Sequence, residues 1–176
     1  MFNFILYNLS LLTLGFLFHH PIAVTIYIII TGSLRAVTGG YHCKTRISCY
    51  ILSYTVFSIY LLTIATIPMI SAYILIPIYI ICWILILVVS PVDTPNKVFS
   101  KSAQKTARKK TYIIFFFNSI FTILSLLLHW NKGLIFIDLS LIICATGLYT
   151  GYISNIRRHH LSLIHISEPT RLQLIS

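Results

Sequence analysis

Acidic residues are scarce in this chain: Asp and Glu together number 3, against 13 Lys and Arg, and the formal net charge is +10. Charged residues amount to only 9% of the 176 residues, whereas hydrophobic residues make up 57%. Soluble domains carry roughly 25% charge, so this composition excludes an ordinary water-soluble globule. Disordered chains are poor in apolar residues, so disorder is excluded too. At this length, one integral membrane domain is the class that remains.

Cysteine patterns typical of other classes are also missing. Cys43, Cys49, Cys82 and Cys144 contain no C-x-x-C pair and no framework of a secreted disulfide scaffold. Cys82 and Cys144 lie in long apolar runs, where we interpret them as small buried hydrophobic residues. His42, Cys43 and Cys49 lack a clear fourth ligand and standard zinc spacing, so we expect no metal and no cofactor. No soluble basic face is present, so we expect no nucleic-acid partner.

Long apolar runs are what the chain does contain, and four of them can cross a membrane. A bilayer core of ~30 Å takes ~20 helical residues at 1.5 Å each. Backbone groups in lipid must be satisfied internally, and the runs do not alternate as barrel strands do, so we predict helices. The first run is slightly short but can extend backward through residues 48–50. The four runs are Ile51–Ile67, Ile70–Val89, Tyr112–Trp130 and Leu134–Ile153.

Two weaker apolar segments, Phe4–Phe18 and Ile22–Leu34, precede these runs. The second is too short to span on its own, so we expect it to lie in the interface, to re-enter, or to continue as helix past Arg35. The predicted fold is therefore an all-α polytopic membrane bundle. It has four strong transmembrane helices plus two N-terminal interfacial or re-entrant hydrophobic helices.

The connections between the apolar runs differ in charge, and basic connections alternate along the chain with connections of little charge. Residues 35–49, residues 91–110 and the Arg157–Arg158 pair are basic, while the other connections carry little charge. By the positive-inside rule the three basic segments face the cytoplasm, which gives a multi-pass protein of the cell membrane. We expect the second cluster to contact anionic lipid head groups or, as the alternative, an acidic peptide tail. That cluster comprises Lys97, Lys101, Lys105, Arg108, Lys109 and Lys110.

The stretch from Arg35 to Cys49 is the polar, glycine-containing and nucleophile-bearing part of the chain. Gly39 and Gly40 can adopt positive φ and allow a sharp turn or a close approach. The imidazole of His42 is a candidate general base, because imidazole titrates near neutrality. The thiol of Cys49 is a candidate nucleophile once it is ionised.

The spacing of this stretch predicts a break in the helix. Arg35, His42 and Cys49 are seven residues apart, so on one helix they share a face. Seven residues rise about 10.5 Å, whereas a nucleophile and its base need roughly 2.6–3.2 Å. We therefore predict a break between His42 and Cys49, or a helix start between Thr45 and Ser48 with one of these as N-cap. Cys49 would then lie in the first turn, where the helix dipole favours a thiolate.

Other interpretations of these residues remain open. A single His and a single Cys at a membrane boundary are often interfacial polar residues. Cys43 directly follows His42 and would point away from it on a helix, so it ranks below Cys49 as nucleophile. Asp93 can orient His42, as an Asp does in catalytic triads, or start an Asx-turn, and we favour the turn.

At these residues the sequence resembles the AgrB (accessory gene regulator B) family over roughly residues 1–160. The residues that carry the resemblance are Arg35, Thr38-Gly39-Gly40-Tyr41-His42, Cys49, Pro91-Val92-Asp93, Asn96 and Lys97. The resemblance implies a membrane cysteine endopeptidase of quorum sensing in which Cys49 and His42 are catalytic. Arg35, Gly39 and Gly40 would be supporting residues. The substrate would be a small amphipathic AgrD-like propeptide, which loses its C-terminal tail and is cyclised through a thioester to a thiolactone or lactone.

The same resemblance suggests a homodimer and one peptidase domain over residues 1–160. Residues 161–176 contain the segment HISEPTR, which looks like translated sequencing-adapter read-through. We expect this tail to be disordered or an assembly artefact and assign it no function. The competing interpretation is a small non-enzymatic transporter or peptide exporter. It is weaker because Asp138 is the one charged residue within the four predicted spans, and transport pathways show several.

Overall fold

The chain folds into a helical bundle. A computed structural model describes the backbone of residues 2–41, 43, 45–68, 70–93 and 99–167, and the side chains of these ranges except 2–4, 46 and 158–167. All the regular structure in these ranges is α-helical, which confirms the predicted fold class. The helices are α1 (Phe2–Leu17), α2 (Pro21–Thr38), α3 (Arg46–Thr66), α4 (Ala72–Val89), α5 (Lys101–Leu127) and α6 (Asn131–Ser167).

Helix α2 corrects the prediction for the N-terminal half. It runs unbroken for 18 residues and is long and apolar enough to span, so it is a candidate span rather than a segment too short to cross. Of the possibilities considered, continuation past Arg35 is the one observed. The apolar run ends at Leu34, but the helix continues through Arg35. The C-terminal end of a helix carries a partial negative charge, so a cation is favourable in its last turn. The described residues thus contain five candidate spans rather than four, and α1 remains a shorter apolar helix.

The same tight turn joins α1 to α2 and α5 to α6. His19 and His129 have positive φ values of 58° and 51°. The residue after each donates its N–H to a carbonyl oxygen five residues back, that of Gly15 (2.9 Å) and that of Ser125 (2.8 Å). This left-handed C-terminal turn satisfies carbonyls that the helix end leaves open. It lets each pair of helices run antiparallel with almost no connecting loop.

Helix α6 lies at the centre of the bundle and packs most extensively against α4 and α2. The main core cluster places Trp83 of α4 against Ile137 and Leu141 of α6, all fully buried. A second cluster joins α2 to α3 through Tyr27 and Tyr60, whose ring centroids are 4.7 Å apart. Helix α3 is otherwise the least buried of the five candidate spans.

The two ends of the bundle differ in polarity. At one end the Val92 N–H donates to the Thr38 carbonyl oxygen (2.9 Å), which joins the segments that follow α4 and α2. Arg35 in the last turn of α2 and Lys101 at the start of α5 lie at this side, whereas Lys132 in the first turn of α6 lies at the other. This is the alternation of basic and uncharged connections predicted from the sequence. The loop between α2 and α3 therefore lies at the basic end.

Candidate active site

The loop between α2 and α3 begins with a sharp change of direction. Helix α2 ends at Thr38, whose buried hydroxyl donates to the Leu34 carbonyl oxygen at 2.9 Å. Gly39 and Gly40 follow with φ values of 77° and 140°. Residues with side chains rarely adopt such φ values, so both positions require glycine. The chain consequently leaves α2 at once and turns toward α6.

The backbone of this loop lies directly on α6. The Tyr41 N–H donates to the Gly147 carbonyl oxygen at 2.9 Å, and Gly40 is buried. A Cβ atom added at Gly151 would lie 2.7 Å from the Gly40 carbonyl carbon and 2.7 Å from the Tyr41 nitrogen. The open side of Gly151 thus faces the loop, and Gly147 contributes its carbonyl oxygen. Main-chain contact therefore holds Gly40 and Tyr41 against α6.

Arg35 holds the other side of the same peptide. Its Nη2 donates to the Tyr41 carbonyl oxygen across 3.4 Å, while the rest of the side chain is exposed. Tyr41 therefore has its N–H bonded to α6 and its carbonyl oxygen bonded to α2. Arg35 thus contacts the loop through one nitrogen atom, and the remainder of its guanidinium group is exposed.

Helix α3 starts where the sequence predicts. Thr45 is the N-cap, and its Oγ1 accepts the Ser48 N–H at 3.2 Å. The Cys49 N–H donates to the Thr45 carbonyl oxygen, also at 3.2 Å, so Cys49 belongs to the first helical turn. The thiol is half-buried. The predicted break and N-cap are confirmed, because α2 ends at Thr38 and α3 begins at Arg46.

Two predicted site residues, His42 and Lys97, lie outside the described residues. Both neighbours of His42 are described: Tyr41 is held between α2 and α6, and Cys43 is half-buried. Helix α3, which carries Cys49, begins three residues after Cys43.

A groove lies between α3 and α6, and its lining begins one helical turn after Cys49. Its volume is about 360 Å³, and helical register puts Cys49 one turn before Ser53 on the face of α3 that lines it. Arg35 and Tyr41 line the basic end of the groove, and buried Tyr27 lies deeper. The groove is therefore polar near the candidate nucleophile and apolar farther into the bundle. Its lining comprises Tyr27, Arg35, Tyr41, Leu52, Ser53, Val56, Ile143, Thr146, Gly147 and Thr150.

Asp93 has a local partner. Its Oδ1 accepts the Phe99 N–H at 2.9 Å, which closes the segment between α4 and α5. This bond spans six residues, whereas the Asx-turn favoured by the sequence spans two, so it is a different contact. The preceding residue, Val92, donates its N–H to Thr38 of α2. Asp93 thus links the residues that follow α4 to Phe99, just before α5.

The described members of the basic cluster lie on the first turns of α5. Ser100 caps this helix, and its Oγ accepts the Ala103 N–H at 3.3 Å. Lys110 lines a cavity of about 420 Å³ together with Ala36 and Val37 of α2. The cluster thus adjoins the last turn of α2, on a different side of the bundle from α3. Its exposed members are Lys101, Lys105, Arg108, Lys109 and Lys110.

A comparison with protein families gives a match that covers this site. Residues 1–154 match the sequence model of the family described as Accessory gene regulator B. The chain belongs to this family. Membership in the AgrB family implies a role as the quorum-sensing peptidase that processes AgrD. Comparison with curated proteins and comparison with solved structures each found no match.

The sequence analysis missed the two α6 glycines of this AgrB-family chain. Gly147 and Gly151 form a G-x-x-x-G pattern on an apolar helix, a known signal for close backbone approach. The pattern usually predicts a second helix as the partner. Here the approaching backbone is the loop at Gly40 and Tyr41. The signal was present, but its partner lies far away in the chain.

Proposed function

We propose that this protein is a membrane cysteine endopeptidase in which Cys49 is the nucleophile and His42 the general base. It removes the C-terminal tail of an AgrD-like propeptide and cyclises the remaining part. The observation that carries the proposal is the position of Cys49. It lies in the first turn of α3, after a loop held on α6 and one helical turn before Ser53, which lines a groove of about 360 Å³.

The chemistry proceeds in two acyl transfers. His42 takes the Cys49 proton, and the sulfur attacks the scissile carbonyl carbon to give a tetrahedral oxyanion. The C–N bond then breaks, and the imidazolium gives its proton to the leaving amine of the tail. A thiol or hydroxyl of the substrate attacks the resulting thioester while His42 takes its proton. The Cys49 sulfur leaves and is reprotonated, and the product is a thiolactone or lactone.

The start of α3 supports this chemistry electrostatically. The N–H groups of Arg46 and Ile47 precede the first intrahelical hydrogen bond and lie at the positive end of the helix dipole. That potential favours a thiolate at Cys49, and the same N–H groups are candidate donors to the oxyanion. Arg35, which lines the groove, adds a positive charge at its polar end.

The groove supplies the environment that a thioester needs. Water would hydrolyse the acyl-enzyme before the ring closes, so the site must limit access of water. Apolar side chains such as Val56 and Ile143 line the deeper part of the groove and suit an apolar peptide segment. The basic end faces the cytoplasm in this proposal, and the exposed cations of α5 contact anionic lipid or the acidic tail. The working unit is residues 1–160, as a homodimer.

Matched cysteine variants test the assignment. Cys43 and Cys49 are both half-buried and both flank the start of α3, so Cys43→Ala is the control for Cys49→Ala. We expect Cys49→Ala to abolish propeptide cleavage in membranes and Cys43→Ala to retain it, with normal insertion of both. Cleavage that survives Cys49→Ala and disappears with Cys43→Ala would give the nucleophilic role to Cys43. Cleavage that survives both would remove the enzyme assignment.

A further inference from the structure

We propose that Gly151 of α6 is a positioning residue for the reaction. Because Gly151 has no side chain, Gly40 and Tyr41, which directly precede His42 in the chain, can lie against α6. The inference depends on the proposed roles of His42 and Cys49. It adds a residue more than 100 positions away from them that sets their geometry without touching the substrate.

The first argument is steric. A Cβ at Gly151 would lie 2.7 Å from both the Gly40 carbonyl carbon and the Tyr41 nitrogen, and 3.1 Å from the Gly40 Cα. Real Cβ contacts essentially never fall below 3.0 Å. All three neighbours are main-chain atoms, so no side-chain rotation can relieve the contact. A methyl group at this position must displace the loop from α6.

The second argument is that displacement of the loop moves His42. Tyr41 is bonded at its N–H to Gly147 and at its carbonyl oxygen to Arg35. The Cα of the next residue is 3.8 Å from the Tyr41 Cα in any trans peptide. A shift that breaks these bonds therefore carries the attachment point of the imidazole with it. Misplacement of a catalytic group by about 1 Å can cost roughly 100-fold in rate.

Gly32 of α2 provides a matched control. A Cβ added there meets nothing within 4 Å, and Gly32 is not among the residues that line the groove. Gly32→Ala and Gly151→Ala add the same methyl group and the same gain in helix propensity, about 1 kcal/mol. They differ in whether that methyl group meets the loop.

The experiment compares the two alanine variants as full-length protein in lipid nanodiscs. For Gly151→Ala we expect kcat of propeptide cleavage to fall by roughly 100-fold with KM changed by less than about 3-fold. We also expect faster hydrogen–deuterium exchange in the segment that contains the Tyr41 amide. Alkylation of Cys49, followed by mass spectrometry, should slow below neutral pH as the imidazole moves away. Gly32→Ala should match the wild type within about 2-fold in all three readouts.

Four outcomes would overturn the proposal. The first is a kcat for Gly151→Ala within about 3-fold of that for Gly32→Ala, and the second is a loss of kcat with unchanged exchange at Tyr41. The third is dissociation of a dimer by Gly151→Ala alone, and the fourth is failure of Gly151→Ala to fold. The third would make the glycines an interface between copies, and the last would make Gly151 a folding residue. Failure of the proposed function is distinguishable, since cleavage would then survive Cys49→Ala while the exchange comparison still tests the contact.

Discussion

Helices α6 and α3 contribute opposite kinds of support to the candidate site. Helix α6 is the most buried candidate span, packs against α2 and α4, and holds the loop at Tyr41. Helix α3 is the least buried candidate span and carries Cys49 at its start. The candidate base is thus attached to the core and the candidate nucleophile to the periphery. A groove large enough for peptide side chains exists because α3 packs loosely against α6.

The largest effect expected from this comparison is in the core. Trp83 of α4 is 2% exposed and its ring centroid is 4.9 Å from that of Phe115. Trp83→Ala would leave a cavity and should lower the free energy of unfolding by about 3–5 kcal/mol. Ile81→Ala, on the exposed face of the same helix, should change it by less than about 0.5 kcal/mol. Denaturant titration in detergent measures both, and equal losses would contradict the central packing of α4.

A smaller effect is expected where α3 meets α2. The buried Tyr60 hydroxyl donates to the Ala23 carbonyl oxygen at 2.9 Å, so it ties the periphery to the core. Tyr60→Phe should cost about 1–1.5 kcal/mol of unfolding free energy. Tyr73→Phe, at the exposed start of α4, is the control. If both variants unfold at the wild-type denaturant concentration, this hydrogen bond does not hold α3.

The start of α3 should show a still smaller change in stability but a clear change in activity. Thr45→Ala removes the N-cap that accepts the Ser48 N–H and should cost about 0.5–1 kcal/mol. Because the first turn carries Cys49, we expect cleavage to slow several-fold. Thr55→Ala, farther along the same helix, is the control. It removes an exposed hydroxyl that donates to the Ile51 carbonyl oxygen one turn earlier, and it should leave cleavage unchanged. Equal activity of the two variants would argue against the capped turn as a catalytic element.

The smallest effect is expected at the basic cluster, which is remote from α3. Lys105 and Lys109 are exposed, and a lysine near an anionic membrane contributes about 1 kcal/mol of attraction. The double change to Gln should reduce cleavage in nanodiscs rich in anionic lipid by a few-fold and have no effect in zwitterionic ones. An equal reduction in both lipids would favour an acidic peptide tail as the partner. No change in either would remove the cluster from function.

Local signals predicted much of this arrangement. The cap at Thr45 and the four long spans follow from side-chain chemistry and run length, which are local properties. The helical conformation of residues 35–38 does not follow from local properties. Thr38 is buried, and its carbonyl oxygen accepts a hydrogen bond from the segment after α4, which is distant in sequence. The contact of Gly151 with Gly40 joins residues more than 100 positions apart. Periodicity and composition carry no information about such a pairing, so the position of the loop had to come from the structure.

Tyr41 is held in place through its own main-chain atoms, since its N–H donates to Gly147 and its carbonyl oxygen accepts from Arg35. Its side chain takes no part in that hold and lies along the groove. We therefore expect position 41 to tolerate many amino acids in a mutational screen, while Gly40 and Gly151 tolerate few. Variation at position 41 would alter which peptides are accepted and leave the reactive pair undisturbed.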